Sequence, residues 1–101
     1  MNKVQIAGIN YTIEYRKHTA RDSNVLGSCC GNSSEIIIDA DLENERQKKT
    51  IIHEIIEAFN FEYELELEHR KITVLESAFF DLLKNNQELM YKIIDDKRKV
   101  M

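Results

Sequence analysis

The sequence predicts an α+β domain in which N-terminal antiparallel β-hairpins pack on a long helix and a second, antiparallel helix. Three observations predict it. Residues 9 to 16 alternate strictly, with Ile9, Tyr11, Ile13 and Tyr15 apolar and Asn10, Thr12, Glu14 and Arg16 polar, the period of a strand with one buried face. The stretch "VLGSCCGNSSEIIID" places two apolar or β-branched runs on either side of Gly31, Asn32, Ser33 and Ser34, all turn formers. From Asp41 onward the character changes abruptly to "LENERQKKTIIHEIIEAFN", rich in helix formers and opened by acids, as helix N-termini prefer.

Taken in order, a short strand around Val4 to Ile6 turns at Gly8 into the strand of residues 9 to 16, giving an N-terminal hairpin. The turn formers at 31 to 34 lead into a strand over Ile36 to Ile38 that ends at Asp39. A helix is expected from about residue 43 to about residue 60, with Asp41 as its candidate cap. "FEYELELEH" alternates Phe61, Tyr63, Leu65 and Leu67 with four glutamates, so it reads as an extended connector or short edge segment whose acids are solvated. A second helix follows from about residue 69 to about residue 84, Asn85 and Asn86 interrupt it, and "QELMYKIIDDKRK" forms a last helical segment. Strands first and helices after define the α+β class. The 101 residues suffice for one domain, 1–101, made of a β layer (1–40), a helical hairpin (41–86) and a C-terminal helical segment (87–101).

Composition narrows the function classes. With 43% apolar and 32% charged residues the chain has the balance of a soluble globular protein rather than a disordered one. A net charge of −4 removes the positive field that non-specific nucleic-acid binding requires, so no nucleic-acid partner is expected. No apolar run approaches the roughly 20 residues of a membrane span, and "MNKVQIAGINY" lacks the apolar core of a secretion signal, so a cytoplasmic protein without a membrane partner is expected. Cys29 and Cys30 are adjacent, a spacing that disfavours a mutual disulfide, and the pair reads as one small core residue and one exposed thiol in a hairpin.

The chemistry concentrates at "TIIHEIIEAFN". Residues four apart share a helix face, so His53 and Glu57 project together while Glu54 points about 100° to one side. Two ligands stacked on one face, with a carboxylate beside them to take a proton from water, is the helical half of a His-Glu-x-x-His zinc site, here with Glu in place of the second histidine. Ile51, Ile52, Ile55, Ile56, Ala58 and Phe59 form the apolar arc, and His53 and Glu57 fall outside it, which disfavours a core histidine. In an antiparallel helical hairpin the stretch from His53 to Glu57 lies opposite the first two turns of the second helix. His69 and Glu76 both fall there, at the edge of an arc formed by Ile72, Leu75, Ala78, Phe79, Leu82 and Leu83. His53, Glu57 and His69 give a His2Glu set suited to catalytic zinc. Glu76 is the alternative to His69, and the extra negative charge it brings would make zinc a weaker Lewis acid. With His69 as ligand, Glu76 is free to hydrogen-bond a ligand from outside.

"DLENERQKKTIIHEIIEAFN", preceded by "EIIID" and followed by an amphipathic helix, resembles the small metallopeptidase-like proteins of bacteriophages and prophages, minimal zincins related to metallopeptidases that cleave repressors of mobile elements. The resemblance covers roughly residues 9 to 86, and its sharp part is the candidate active-site helix and the strand before it. It implies a zincin-like fold in which the strand around Ile36 to Asp39 forms the edge where a substrate peptide lies, zinc bound by His53, Glu54 as general base, and hydrolysis of a protein or peptide. The chain departs from the family at position 57, Glu instead of His, and the acidic third ligand of the later helix has no unambiguous counterpart, Thr73 standing near its place. Either ligand types have been exchanged between the helices, with His69 compensating, or the metal site has degenerated and the fold serves as a regulatory module that docks a phage or host protein. His18, in the loop after residue 16, is a candidate for supplementary oxyanion stabilisation against a plain surface role. Tyr91, Ile93 and Ile94 form a stripe that either packs on its own domain or pairs with another copy.

Overall fold

The computed structural model describes residues 2–17 and 26–95. Strands β1 (Asn2–Ile6), β2 (Ile9–Arg16), β3 (Gly27–Cys30) and β4 (Glu35–Asp39) precede helices α1, α2 and α3, which span Asn44–Glu62, His69–Asn85 and Gln87–Ile94. The strands form one mixed sheet in the order β1-β2-β4-β3. β1 and β2 are antiparallel and close through Ala7 and Gly8, both at positive φ (53° and 80°). A two-residue turn of this kind follows the twist of the strands it joins, and glycine adopts the second position without steric cost.

β3 and β4 form the second antiparallel hairpin, but the two hairpins join through a parallel pairing, from Thr12 opposite Glu35 to Arg16 opposite Asp39. This corrects the expectation of a wholly antiparallel layer. It also corrects the expected edge: β4 is a central strand, and the edges are β1 and β3. The physical reason lies in the side chains. Ile36 and Ile38 are fully buried, and a near-continuous apolar run suits a strand flanked on both sides. β3 is short and carries Gly27 and Ser28, residues that an edge tolerates.

The core joins Ile6, Tyr11, Ile13, Ile36 and Ile38 of the sheet to Ala58 of α1, with Ile51, Ile55 and Cys29 packed against it. Ile9 and Tyr15, at the two ends of the alternating run, are exposed. The buried Tyr11 phenol donates to the Glu62 carboxylate near the end of α1. Its burial, and then the Glu62 charge, hold the phenol well above its ordinary pKa, so the hydroxyl remains a donor. Cys29 is half-buried and Cys30 exposed, and both thiols are free.

α1 is capped by Glu43, whose carboxylate accepts from the Arg46 N–H at 2.6 Å, and not by Asp41. Asp41 belongs to the preceding turn, where its own N–H donates to Asp39 at 2.8 Å. At its other end α1 continues through Phe61 and Glu62, two residues expected in the connector. The Phe61 ring lies where a Cβ on Gly31 would sit, so glycine there lets the hairpin turn close onto the helix end. Residues 63–68 pair with no described strand, because Glu64 and Glu66 take left-handed conformations (φ 51° and 57°) that break the period of two. Asn60 clamps this connector, accepting from Leu67 N–H at 2.9 Å and donating to Leu67 C=O at 3.3 Å. The chain therefore reverses tightly, and α2 returns antiparallel along α1.

Only Ile72 of α2 is buried. The arc expected to continue through Ala78, Phe79, Leu82 and Leu83 is exposed, although Leu83 and Phe80 line a groove against Ile51 and Ile52 of α1. α3 buries nothing. Among the described residues no helix is long and apolar enough to cross a membrane. His18 and residues 96–101 lie outside the described residues.

Candidate metal centre

α1 presents His53 and Glu57 one turn apart toward α2, and the hairpin sets His69 opposite Glu57 and Glu76 opposite His53. His53 Nε2 lies 3.4 Å from Glu57 Oε2, and His69 Nδ1 lies 3.8 Å from the same oxygen. One donor atom each from His53, Glu57 and His69 falls within 4.8 Å of the others, so this group can hold a metal ion. A tetrahedral ion with bonds of about 2.0–2.1 Å keeps its donors about 3.4 Å apart, so small rotamer shifts of the exposed His69 close the triangle. Three protein donors would leave the fourth position of a tetrahedral ion open.

Glu76 is not in that group and faces the other nitrogen of the His53 ring. Its Oε1 lies 2.9 Å from His53 Nδ1. A carboxylate only accepts, so Nδ1 is the donor in this pair, and Nε2 is the ring nitrogen that faces Glu57. A carboxylate behind a histidine in this way fixes its tautomer and raises its basicity as a ligand.

Glu54 is the unusual group. Thr50 and Glu54, four apart, form the face of α1 that abuts edge strand β3, and both are buried. Glu54 is 6% exposed, and among the described residues its carboxylate makes no hydrogen bond or ion pair. Burial raises its pKa to about 7; the adjacent His53 opposes the rise, and the charges of Glu57 and Glu76 add to it. It sits in a cleft of about 780 Å³ between β3 and the two helices, lined also by Thr73 and, toward one end, by Arg46 and Lys49.

Gly27 makes this close approach possible. A Cβ there would lie 2.8 Å from Thr50 Cγ2 and 3.2 Å from Glu54 Oε2. Gly27→Ala is expected to destabilise the protein by about 1–3 kcal/mol through overpacking, measured by urea unfolding. Thr50→Ser, which deletes the nearest methyl, should recover part of that loss in the double variant, a coupling that independent sites would not show.

The helical period alone pointed to His53, Glu54 and Glu57, and the antiparallel hairpin to His69 and Glu76. Gly27, Thr50, Arg46 and Lys49 were not singled out. The available signal was a glycine opening a strand, which marks a close backbone approach. No protein-family model, curated protein or solved structure matches this chain.

Proposed function

We propose that this chain is a zincin-like, zinc-dependent metallopeptidase that hydrolyses peptide bonds in the cleft between β3 and the helical hairpin. His53, Glu57 and His69 hold the metal, Glu54 is the general base, and Glu76 positions His53. The observation that carries the reading is Glu54. A buried carboxylate with no hydrogen-bonding partner among the described residues costs folding free energy, and this one lies beside three converging donors in an open cleft. The exchange of ligand types between the helices is supported over degeneration of the site by the place of His69 against Glu57.

Zinc in a three-ligand site supplies Lewis acidity toward a carbonyl and lowers the pKa of water. The chain does the rest. A carboxylate with a pKa of about 7 is poised to take a proton from water at neutral pH and to return it to the departing amine. β3 is an edge strand along the cleft, unpaired on its outer side among the described residues, which suits an extended peptide added as a further strand.

The test is metal content and peptide hydrolysis of the purified chain after zinc reconstitution, beside His53→Ala and His69→Ala. The expected result is one zinc per chain, lost in both variants, with cleavage of a quenched-fluorescent peptide mixture lost in parallel. A wild-type chain that retains no zinc overturns the reading, and zinc retained in His69→Ala overturns the ligand set.

A further inference from the structure

The cleft runs from the candidate metal donors to Arg46. Arg46, Thr50 and Glu54 follow one another at four-residue steps along α1, and Lys49, His53 and Glu57 do the same beside them. Two neighbouring stripes of one helix therefore join the basic residues to the metal site, and all of these residues except Glu57 line the cleft.

Four charged groups line the end away from the metal donors, and three of them are engaged. Glu43 accepts from the Arg46 backbone N–H at 2.6 Å, as the cap of α1. Glu45 lies 4.0 Å from Lys49, whose ammonium stands 5.2 Å from the centre of the Phe80 ring. The Arg46 side chain is left. It makes no ion pair among the described residues and is exposed at the cleft. A guanidinium offers parallel N–H donors in a rigid fork, the match for a carboxylate. Toward the metal donors the cleft presents Glu54 and Glu76, which repel an anion, so a carboxylate on a bound peptide is directed to the Arg46 end. The net charge of −4 opposes this little, because physiological salt screens charges beyond about 8 Å.

Spacing sets the register. From Arg46 to Glu54 the helix advances about 12 Å, and an extended peptide advances about 3.3 Å per residue. We infer that Arg46 receives a carboxylate of the substrate about three residues from the bond cleaved, either an Asp or Glu side chain or a free C-terminus. The register rests on the peptidase reading, whereas capture of the carboxylate does not, so the two are measured apart.

Equilibrium dialysis of the full chain, with and without zinc, against pools of blocked eight-residue peptides measures capture. One pool carries a single glutamate among uncharged residues, a second has glutamine in its place and a third has lysine. A fourth is the glutamine pool with a free C-terminus. Wild type should retain the glutamate pool about tenfold over the glutamine pool. The same preference for the fourth pool alone would assign the carboxylate to a C-terminus. Arg46→Gln should bring the pools to parity, Arg46→Lys should keep part of the preference, and Arg46→Glu should turn it toward lysine. Each variant keeps the backbone N–H that Glu43 caps. Mass spectrometry of the zinc-loaded incubations then locates the cut, expected about three residues from the acid. Equal retention of all pools by wild type, or an acid preference that survives Arg46→Gln, overturns the inference. An acid preference that depends on Arg46, with no pool cleaved, supports the carboxylate site and overturns the peptidase reading. Cleavage of every pool alike does the reverse.

Discussion

Glu54→Gln is expected to stabilise the metal-free protein by about 3 kcal/mol at pH 8 and to leave its stability at pH 4 unchanged, while abolishing peptide hydrolysis. The sign follows from where the proton resides. In the folded protein the Glu54 carboxyl holds its proton up to about pH 7, and in the unfolded chain it releases it near 4.5. Between those values the native state binds more protons than the unfolded state, so stability falls as pH rises through that window and stays low above it. Glutamine matches the size of the neutral acid and never ionises, so the variant does not share the loss. Urea unfolding of both proteins with chelator, from pH 4 to pH 8, measures it. Equal stability at pH 8 would mean that the ionised carboxylate is satisfied in the fold. Bound zinc reverses part of the logic, because a nearby cation favours the carboxylate, so the advantage of the variant should shrink when metal is restored.

That trade of stability for a charged group in a buried place explains what could be read from the residues and what could not. His53, Glu54 and Glu57 obey a helical period set by local backbone geometry, so their relative directions follow from spacing alone. His69 and Glu76 required one assumption, an antiparallel return of the second helix, which the Asn60 clamp on Leu67 supplies. The pairing of β2 with β4 was different. Nothing local distinguishes a strand that pairs in parallel with a distant neighbour from one that stays at the edge, since both read as short apolar runs. That the sheet edge beside the cleft is β3 and not β4 therefore depends on tertiary packing, and so does the role of Gly27. The cap moved from Asp41 to Glu43 for a local reason: the Asp39 carboxylate takes the Asp41 N–H into a turn, and the chain first reaches a cap conformation two residues later. In α2, period predicted the apolar arc correctly but not what covers it. Periodicity shows which side is apolar and says nothing about whether its partner lies in the same chain.

Ile72→Ala carries the other large effect. Ile72 is 1% exposed and is the sole buried side chain of α2, so deleting three of its carbons is expected to cost about 3 kcal/mol, near the middle of the range for such cavities. The loss should be local in character. The sheet core of Ile6, Tyr11, Ile36 and Ile38 does not depend on α2, whereas the placement of His69 and Glu76 against α1 does. Zinc affinity should therefore fall with the docking of α2, although no ligand has been changed. With the proposed ligands drawn from both helices, zinc at about 100 times its Kd should return about 2.7 kcal/mol to either protein. Thermal unfolding with chelator and with zinc, beside hydrogen exchange resolved by segment, checks both parts. In the metal-free variant, protection should drop across α2 first and in β4 last. A variant that loses protection uniformly, or binds zinc as tightly as the parent, would show that α2 is held by more than Ile72 and that the metal triangle survives without it.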